Sequence, residues 1–250
     1  MFESDGVPIH YEVFSQGKPI VLLHGFASNL QGNWVATGWV DTLSPIRRVI
    51  TLDCRGHGLS GKPYTSRAYA GDQMPDDVLR LMDHLRIEKA DLFGYSMGAR
   101  ISLRLLLRHP ERFTSVVLGG IGNLLARQME KGRPNVAEAL LAPDPSTITD
   151  RTAKGFRVFA EANKNDLKAL AAYMRAPRAA LDQARLQQVA LPVLIVNGEA
   201  DAQVGSPDEL ATAIPGARLV KIPERDHITV VPDPRFKETV VHFLTEQSPA

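Results

Sequence analysis

The sequence predicts an α/β domain in which a mostly parallel sheet is flanked by helices. Three observations carry that reading. Strand-like and helix-like segments alternate along most of the chain, which implies parallel pairing through right-handed crossovers. From residue 47 onward the strand-like segments are near-continuous runs of Val, Ile and Leu, the signature of strands covered on both faces. The 250 residues, 44% hydrophobic and 23% charged, suffice to bury one large core.

The first strands are read at PIHYEVF and PIVLLHG, separated by the turn-forming SQGK. RRVITLD, DLFGYS, TSVVLGG, LPVLIVNG and ARLVKIP follow as further strands. MPDDVLRLMDHLRI places Val78, Leu81, Met82 and Leu85 at helical spacing, and ARISLRLLLRHPERF runs amphipathically until Pro110 stops it. PDELATAIPG and RFKETVVHFLTEQ complete the alternation. From about Gly122 to Gln188 no strand is evident, while LLARQMEKG, NVAEALLA, TAKGFRVFAEANK, DLKALAAYMRA and LDQARLQQ all read as helices. That is too long for a simple connection. The segment is read as a helical cap, about 122–188, over one end of a core formed by 1–121 and 189–250. An ordinary crossover carrying extra helices is the alternative.

Chemistry concentrates at DLFGYSMGARISL, where GYSMG fits G-x-S-x-G with a strand before it and a helix after it. So tight a turn wants Gly94 and Gly98 for clearance, and it leaves Ser96 exposed on a strained backbone. A serine hydroxyl is a poor nucleophile near neutral pH, so it requires a base, and the base requires a partner to fix its tautomer. Seven histidines compete for that place. His10 lies in an early strand, and His84, His109 and His242 belong to helices. His24 and His57 sit in glycine-rich turns ahead of the serine, where bracing of backbone is expected. His227 follows the last strand on a loop, PERDHITVVPD, and is taken as the base. Asp201, just beyond the buried strand of LPVLIVNGEADAQV, is taken as the acid, because the order Ser96, Asp201, His227 is the one expected for this architecture. The oxyanion hole needs two donors, assigned to the backbone N–H groups of Met97, at a helix start, and Phe26, in IVLLHGFASN. The Phe26 side chain either lines the acyl pocket or packs under the cap.

With VLLHGF, LDCRGHGLSGKP, GYSMGA, NGEAD and RDH in that order, nearly the whole chain resembles the α/β-hydrolase superfamily, of the small cap-bearing serine esterase and lactonase kind. The resemblance implies the α/β-hydrolase fold, with the cap inserted after the strand near 114–119. It also implies Ser96 as nucleophile, Asp201 as acid, His227 as base, and Phe26 and Met97 as oxyanion donors. Asp53 and Arg55 resemble positions that brace loops near the site, and Ala99 stands where many members carry a glycine. Ser96 argues against members with an aspartate nucleophile. Asn197 and Glu199 flank the acid without an evident role.

The implied reaction is hydrolysis of small or medium carboxylic esters through an acyl-serine, a route that needs neither metal nor organic cofactor. Phe156, Phe159 and Tyr173 of the cap are expected to supply an apolar pocket, with Phe26, Phe156 and Phe159 as substrate-binding residues. The spacing of Phe156 and Phe159 at i, i+3 fits a core stripe equally well. Enol-lactone hydrolysis is the alternative, with perhydrolysis or haloperoxidation as a side activity, and a hydrolase-fold receptor for small ligands with weak turnover is the alternative from another class.

Charge and targeting features limit the partners. Lys plus Arg is 29 against 28 for Asp plus Glu, so no broad field attracts nucleic acid or an anionic membrane. The expected partner is a small-molecule ester or lactone, and a monomer and a homodimer both fit. One cysteine, Cys54, forbids an intramolecular disulfide and a zinc site built of thiolates. MFESDGVPIHYEV lacks the basic and apolar regions of a secretory signal, and no apolar run approaches the roughly 18 residues that span a bilayer, so a cytoplasmic protein is expected.

Overall fold

The computed structural model describes residues 1–122, 134–177 and 182–247. A short antiparallel hairpin of β1 (Phe2–Ser4) and β2 (Val7–Ile9) precedes the main sheet. The segment PIHYEVF is therefore divided, its first half in this hairpin and its second half in β3 (Tyr11–Phe14). There follow β4 (Pro19–Leu23), α1 (Trp39–Leu43), β5 (Arg48–Leu52), α2 (Gln73–His84), β6 (Ala90–Tyr95), α3 (Met97–Arg108) and β7 (Phe113–Gly119). Helices α4 (Pro134–Leu141), α5 (Arg151–Ala162), α6 (Leu167–Arg175) and α7 (Gln183–Leu186) come next. β8 (Val193–Gly198), α8 (Asp208–Ala213), β9 (Arg218–Ile222) and α9 (Pro234–Glu246) complete the chain. The helix expected at LLARQMEKG lies outside the described residues.

The sheet runs β3-β5-β4-β6-β7-β8-β9, antiparallel only between β3 and β5. Its two faces are both buried, and the strands show why. Val21 and Leu23 of β4 point into one core with Leu92 and Val116, while Ile20 and Leu22 point into the other with Phe93 and Val117. The second core is built around an aromatic group: Trp39 meets Phe93 at 4.8 Å and Phe236 of α9 at 4.9 Å between ring centroids.

Topology brings the chemistry together before any side chain is considered. Parallel strands place all their C-terminal ends on one edge, and the chain leaves β4 for β5 on one side, then returns to β6 on the other. The ends of β4 and β6 are thus the switch point at which open α/β sheets bind ligands. In register, Tyr95 faces Gly119, Gly119 faces Val196, and Gly198 faces Ile222, so the loops after β6, β8 and β9 leave at one level.

Helices α4 to α7 sit between β7 and β8 in sequence, with α4 packed on α5 and α6. Each of α5, α6 and α7 starts at an aspartate, Asp150, Asp166 and Asp182, whose carboxylate accepts from N–H groups of the first turn. Arg157, buried in α5, donates to the carbonyls of Ala139, Leu140 and Ala142 at 2.9, 3.1 and 3.0 Å. One guanidinium thus closes the C-terminal end of α4 and locks α5 against it.

Candidate active site

The turn between β6 and α3 holds Ser96 at φ 53°, ψ −105°, a conformation that few side chains tolerate. Its neighbours explain how the turn is accommodated. A Cβ on Gly94 would lie 2.2 Å from the Gly98 carbonyl oxygen, and one on Gly98 would lie 2.0 Å from the carbonyl oxygen of Leu23. Only glycine fits both places, so G-x-S-x-G here records the close approach of α3 to β4 and β6. Backbone bonds fix the turn: Ser96 N–H donates to Gly119 at 2.8 Å and Gly98 N–H to His24 at 3.1 Å.

Ser96, His227 and Asp201 lie in a hydrogen-bonded row. His227 Nε2 is 2.9 Å from Ser96 Oγ, and His227 Nδ1 is 2.6 Å from Asp201 Oδ2. Both His227 and Asp201 are buried. Asp201 follows the β8 turn, where its N–H donates to Gly198, and its Oδ1 accepts from Gln203 N–H at 3.0 Å. The carboxylate is therefore oriented at both oxygens. His227 stands in a short turn made by Asp226, which accepts from the N–H groups of Ile228 and Thr229 at 2.9 and 2.8 Å. Those bonds, led by that of Thr229, hold the Asp226 carboxyl below its ordinary range.

Tyr95 adds a support that the sequence reading did not assign. Its hydroxyl donates to the carbonyl of His227, so the residue before the serine also fixes the backbone of the histidine loop. Burial pushes this phenol far up, and it stays a neutral donor. The only available signal was a tyrosine, not an aliphatic, at the end of a buried strand. Asn197 also finds a role, its Oδ1 accepting from Ile121 N–H at 3.3 Å between β8 and the loop after β7. Glu199 is exposed and its side chain makes no hydrogen bond among the described residues.

The other histidines divide by their partners. His24 donates through Nδ1 to the Gly25 carbonyl at 2.7 Å and accepts at Nε2 from Cys54 N–H at 3.0 Å. Two opposite partners fix it as a neutral brace, and desolvation lowers its pKa. His57 donates through Nδ1 to the Arg55 carbonyl at 3.1 Å, while its Nε2 is buried without a partner among the described residues. Desolvation, reinforced by His24, lowers its pKa to about 3. The unfolded chain takes up this proton near pH 6.5 and the folded one only near 3. Stability is therefore expected to fall as pH drops from about 6.5 toward 3, by up to about 1.4 kcal/mol per pH unit for this one group. Melting temperatures across that window should drop less steeply in His57→Gln; equal slopes would remove His57 as the cause.

Asp53 and Arg55 brace loops, as the resemblance implied. Asp53 accepts from the N–H groups of Leu30 and Leu59, each at 2.8 Å. Arg55 grips Asp77 of α2 through two bonds of 2.7 and 2.6 Å. Cys54 is buried, and burial pushes its thiol up, which leaves it inert as a rival nucleophile.

A cavity of about 690 Å³ opens on Ser96 and His227. Phe26, Phe156 and Phe159 line it, and Tyr173 lines a smaller space of about 50 Å³ beside Ser96 and Met97. Phe26 answers to both readings of its side chain: it faces the cavity and also stacks on Tyr173 at 5.4 Å and edge-on to Phe156 at 5.6 Å. Met97, at the start of α3, and Phe26, after β4, flank the serine from the two strand ends of the switch point. Among the described residues no group of three or more His, Cys, Asp or Glu side chains is arranged to hold a metal ion, and no helix is long and apolar enough to cross a membrane.

Residues 18–149, more than half of the chain, match the family model described as the alpha/beta hydrolase fold. The chain belongs to the alpha/beta hydrolase family. Within that family it is 29% identical to 2-hydroxymuconate semialdehyde hydrolase of Pseudomonas sp. (strain CF600), over 94% of this chain and 89% of that protein. It is 28% identical to the pimeloyl-[acyl-carrier protein] methyl ester esterase of Nitrosomonas europaea, over 88% and 92%. The crystal structure of the enol-lactonase from Burkholderia xenovorans LB400 superposes with a TM-score of 0.77 at 28% identity, covering 97% of this chain and 98% of that one. The fold expected from the sequence is the fold found.

Proposed function

We propose that this alpha/beta hydrolase is a serine hydrolase that cleaves small or medium carboxylic esters through an acyl-serine intermediate. The observation that carries the reading is the row Ser96 Oγ, His227 Nε2, His227 Nδ1, Asp201 Oδ2, at 2.9 and 2.6 Å, opening on a cavity of about 690 Å³. In the forward step His227 Nε2 takes the Ser96 proton as Oγ attacks the ester carbonyl. Charge develops on the carbonyl oxygen, and the N–H groups of Met97 and Phe26 are the assigned donors to it. His227 then returns the proton to the departing alcohol, Asp201 stabilises the imidazolium, and water repeats the cycle to free the acid. The relatives named as a methyl ester esterase and an enol-lactonase support an acyl–oxygen bond as the target. A lactone is an internal ester, so enol-lactone hydrolysis is the second reading.

Purified protein should hydrolyse p-nitrophenyl acetate and butyrate and be labelled by a fluorophosphonate at Ser96. Labelling elsewhere would remove the assignment, and negligible turnover together with tight binding of a small ligand would point to a receptor.

We assign the chain to one domain, with a core of 1–121 and 189–250 and a cap of about 122–188 that sets substrate choice. A cover over the strand ends excludes water and fixes the width of the site. Phe156 and Phe159 are half-buried and line the cavity, which favours pocket over core for this stripe. Trimming either to alanine is expected to shift the preferred acyl chain length and to cost less than the roughly 3 to 5 kcal/mol of a buried phenylalanine. Chain-length profiles and melting temperatures of both variants test this. Two strongly destabilised variants with unshifted profiles would return the stripe to the core.

A further inference from the structure

The loop assigned to the oxyanion hole is held in a strained form, and one of the bonds that hold it comes from the helices between β7 and β8. Ser28 N–H donates to the Gly25 carbonyl at 3.2 Å, which closes a turn over residues 25–28. Ala27, the third residue of that turn, is fully buried at φ 57°. A positive φ at the third place is the mark of a type II turn, where glycine is the ordinary residue. The Cβ of Ala27 disfavours that conformation, so the turn persists only if its surroundings hold it. Phe26 is the second residue, and its N–H, an assigned oxyanion donor, makes no hydrogen bond among the described residues.

Three side chains grip the turn. Asn33 Oδ1 accepts from Gly25 N–H at 2.9 Å and His24 Nδ1 donates to the Gly25 carbonyl at 2.7 Å, both on the first residue. Asn165 Nδ2 donates to the Ala27 carbonyl at 2.7 Å, on the strained residue itself. The position of Asn165 is in turn fixed by its own backbone. At the end of α5, Lys164 has φ 54°, and the N–H groups of Lys164 and Asn165 donate to Glu161 and Ala160, each at 2.9 Å, the paired bonds of a Schellman motif. The next residue, Asp166, starts α6 by accepting from the N–H groups of Lys168 and Ala169, each at 3.0 Å. Asn165 therefore stands in a corner closed on both sides.

Resting on the serine-hydrolase reading for what the turn does, we infer that Asn165 is a positioning residue for the oxyanion hole: its bond to Ala27 holds the turn in the form that aims Phe26 N–H at the reacting carbonyl. α5 also lines the cavity through Phe156 and Phe159, so the helix expected to meet the acyl group and the corner that holds the donor are one unit. A displaced donor costs the transition state, where charge has developed, more than it costs the bound ester. Tyr64 supplies a comparison, because its hydroxyl donates to Asp166 Oδ2 at 2.8 Å and fastens the same corner to the loop after β5 without touching the turn.

The test measures hydrolysis of p-nitrophenyl butyrate by Asn165→Ala, Asn165→Asp and Tyr64→Phe. In both Asn165 variants kcat should fall about tenfold with KM nearly unchanged, less than the roughly 10²- to 10³-fold of a lost oxyanion donor, because the N–H is displaced and not removed. Tyr64→Phe should keep its kcat. Trifluoromethyl propyl ketone adds a readout specific to the oxyanion. Ser96 Oγ bonds to its carbonyl carbon, His227 Nε2 takes the serine proton, and the carbonyl π electrons become the charge on oxygen. Its inhibition constant should rise in the Asn165 variants by the factor by which kcat/KM falls. An unchanged kcat in both Asn165 variants, a loss confined to KM, an unmoved inhibition constant, or an equal loss in Tyr64→Phe would overturn the inference and leave the serine hydrolase standing. Hydrogen exchange needs no turnover: the amides of residues 25–28 should exchange about tenfold faster in Asn165→Ala than in the wild-type protein. If the wild-type protein hydrolyses no ester, the serine-hydrolase reading fails by itself; faster exchange would still support Asn165 as the tether of the turn, and unchanged exchange would overturn it.

Discussion

Ser96→Ala is expected to leave the fold intact and to lower kcat toward p-nitrophenyl butyrate on the scale seen when serine triads lose their nucleophile, about 10⁶-fold. The size follows from what is removed. Oγ is the atom assigned to bond to the acyl group, and without it His227 has no proton to take; only the oxyanion donors and binding remain to act on water. The small effect on stability has an equally local cause. Among the described residues Oγ makes one side-chain bond, to His227 Nε2, while the turn is held by the backbone bonds of Ser96 and Gly98, which alanine keeps. Melting temperature and circular dichroism should match the wild-type protein, and fluorophosphonate labelling should vanish. More than about one per cent of residual turnover would mean that another residue, or metal-free general base chemistry on water, carries the reaction.

Much of this site was legible in the sequence because its constraints are local. Gly94 and Gly98 are dictated by clearances of 2.2 and 2.0 Å within one turn, so the pentapeptide announces the turn that requires it. Asp201 and His227 could be placed because parallel strands put every C-terminal end on one edge, and each residue follows a recognisable apolar strand. The split of PIHYEVF into two strands was hidden, since Val7, Ile9 and Tyr11 continue one alternation through His10 while the backbone changes sheets. Helix α1 was missed for a related reason: five residues carry too little periodicity, and Trp39 is fixed by packing from α9 and β6, far away in sequence.

The support around the site was less legible, because it depends on contacts between distant segments. Tyr95 reaches His227 across 132 residues, and nothing in GYSMG distinguishes a tyrosine that braces a loop from one that merely fills the strand end. Asn33 reads as an ordinary polar residue in a loop until its two amide atoms are seen to have opposite fates, one bound and one without a partner among the described residues. Arg151 belongs by pattern to the solvated face of a helix start. Its place on the cavity is seen only in three dimensions, where it shares the lining with Gly25 and Phe26 after β4 and with His227 after β9.

Asp201→Asn is expected to lower kcat by about 10⁴-fold with KM and melting temperature little changed, and the geometry says why an isosteric change should do so much. In the native arrangement Nδ1–H of His227 donates to Asp201 Oδ2 at 2.6 Å, which leaves the Nε2 lone pair facing the Ser96 hydroxyl. Asp201 Oδ1 is already committed, accepting from Gln203 N–H at 3.0 Å. An asparagine must keep its carbonyl oxygen on that N–H, since turning the amide over would set two donors against each other. Its NH₂ group then occupies the place of Oδ2 and faces Nδ1 as a donor. His227 can satisfy that donor only by moving its proton to Nε2, and a protonated Nε2 cannot take the serine proton. The loss should therefore fall on kcat, with substrate affinity nearly intact, and the downfield imidazole proton bonded to Asp201 should disappear from the proton NMR spectrum. Glu199→Gln, two residues away on an exposed side chain, serves as the control and should retain full activity. A fall of less than about tenfold in Asp201→Asn, or equal losses in the two variants, would remove Asp201 from the row and leave the orientation of His227 to Tyr95 and the Asp226 turn.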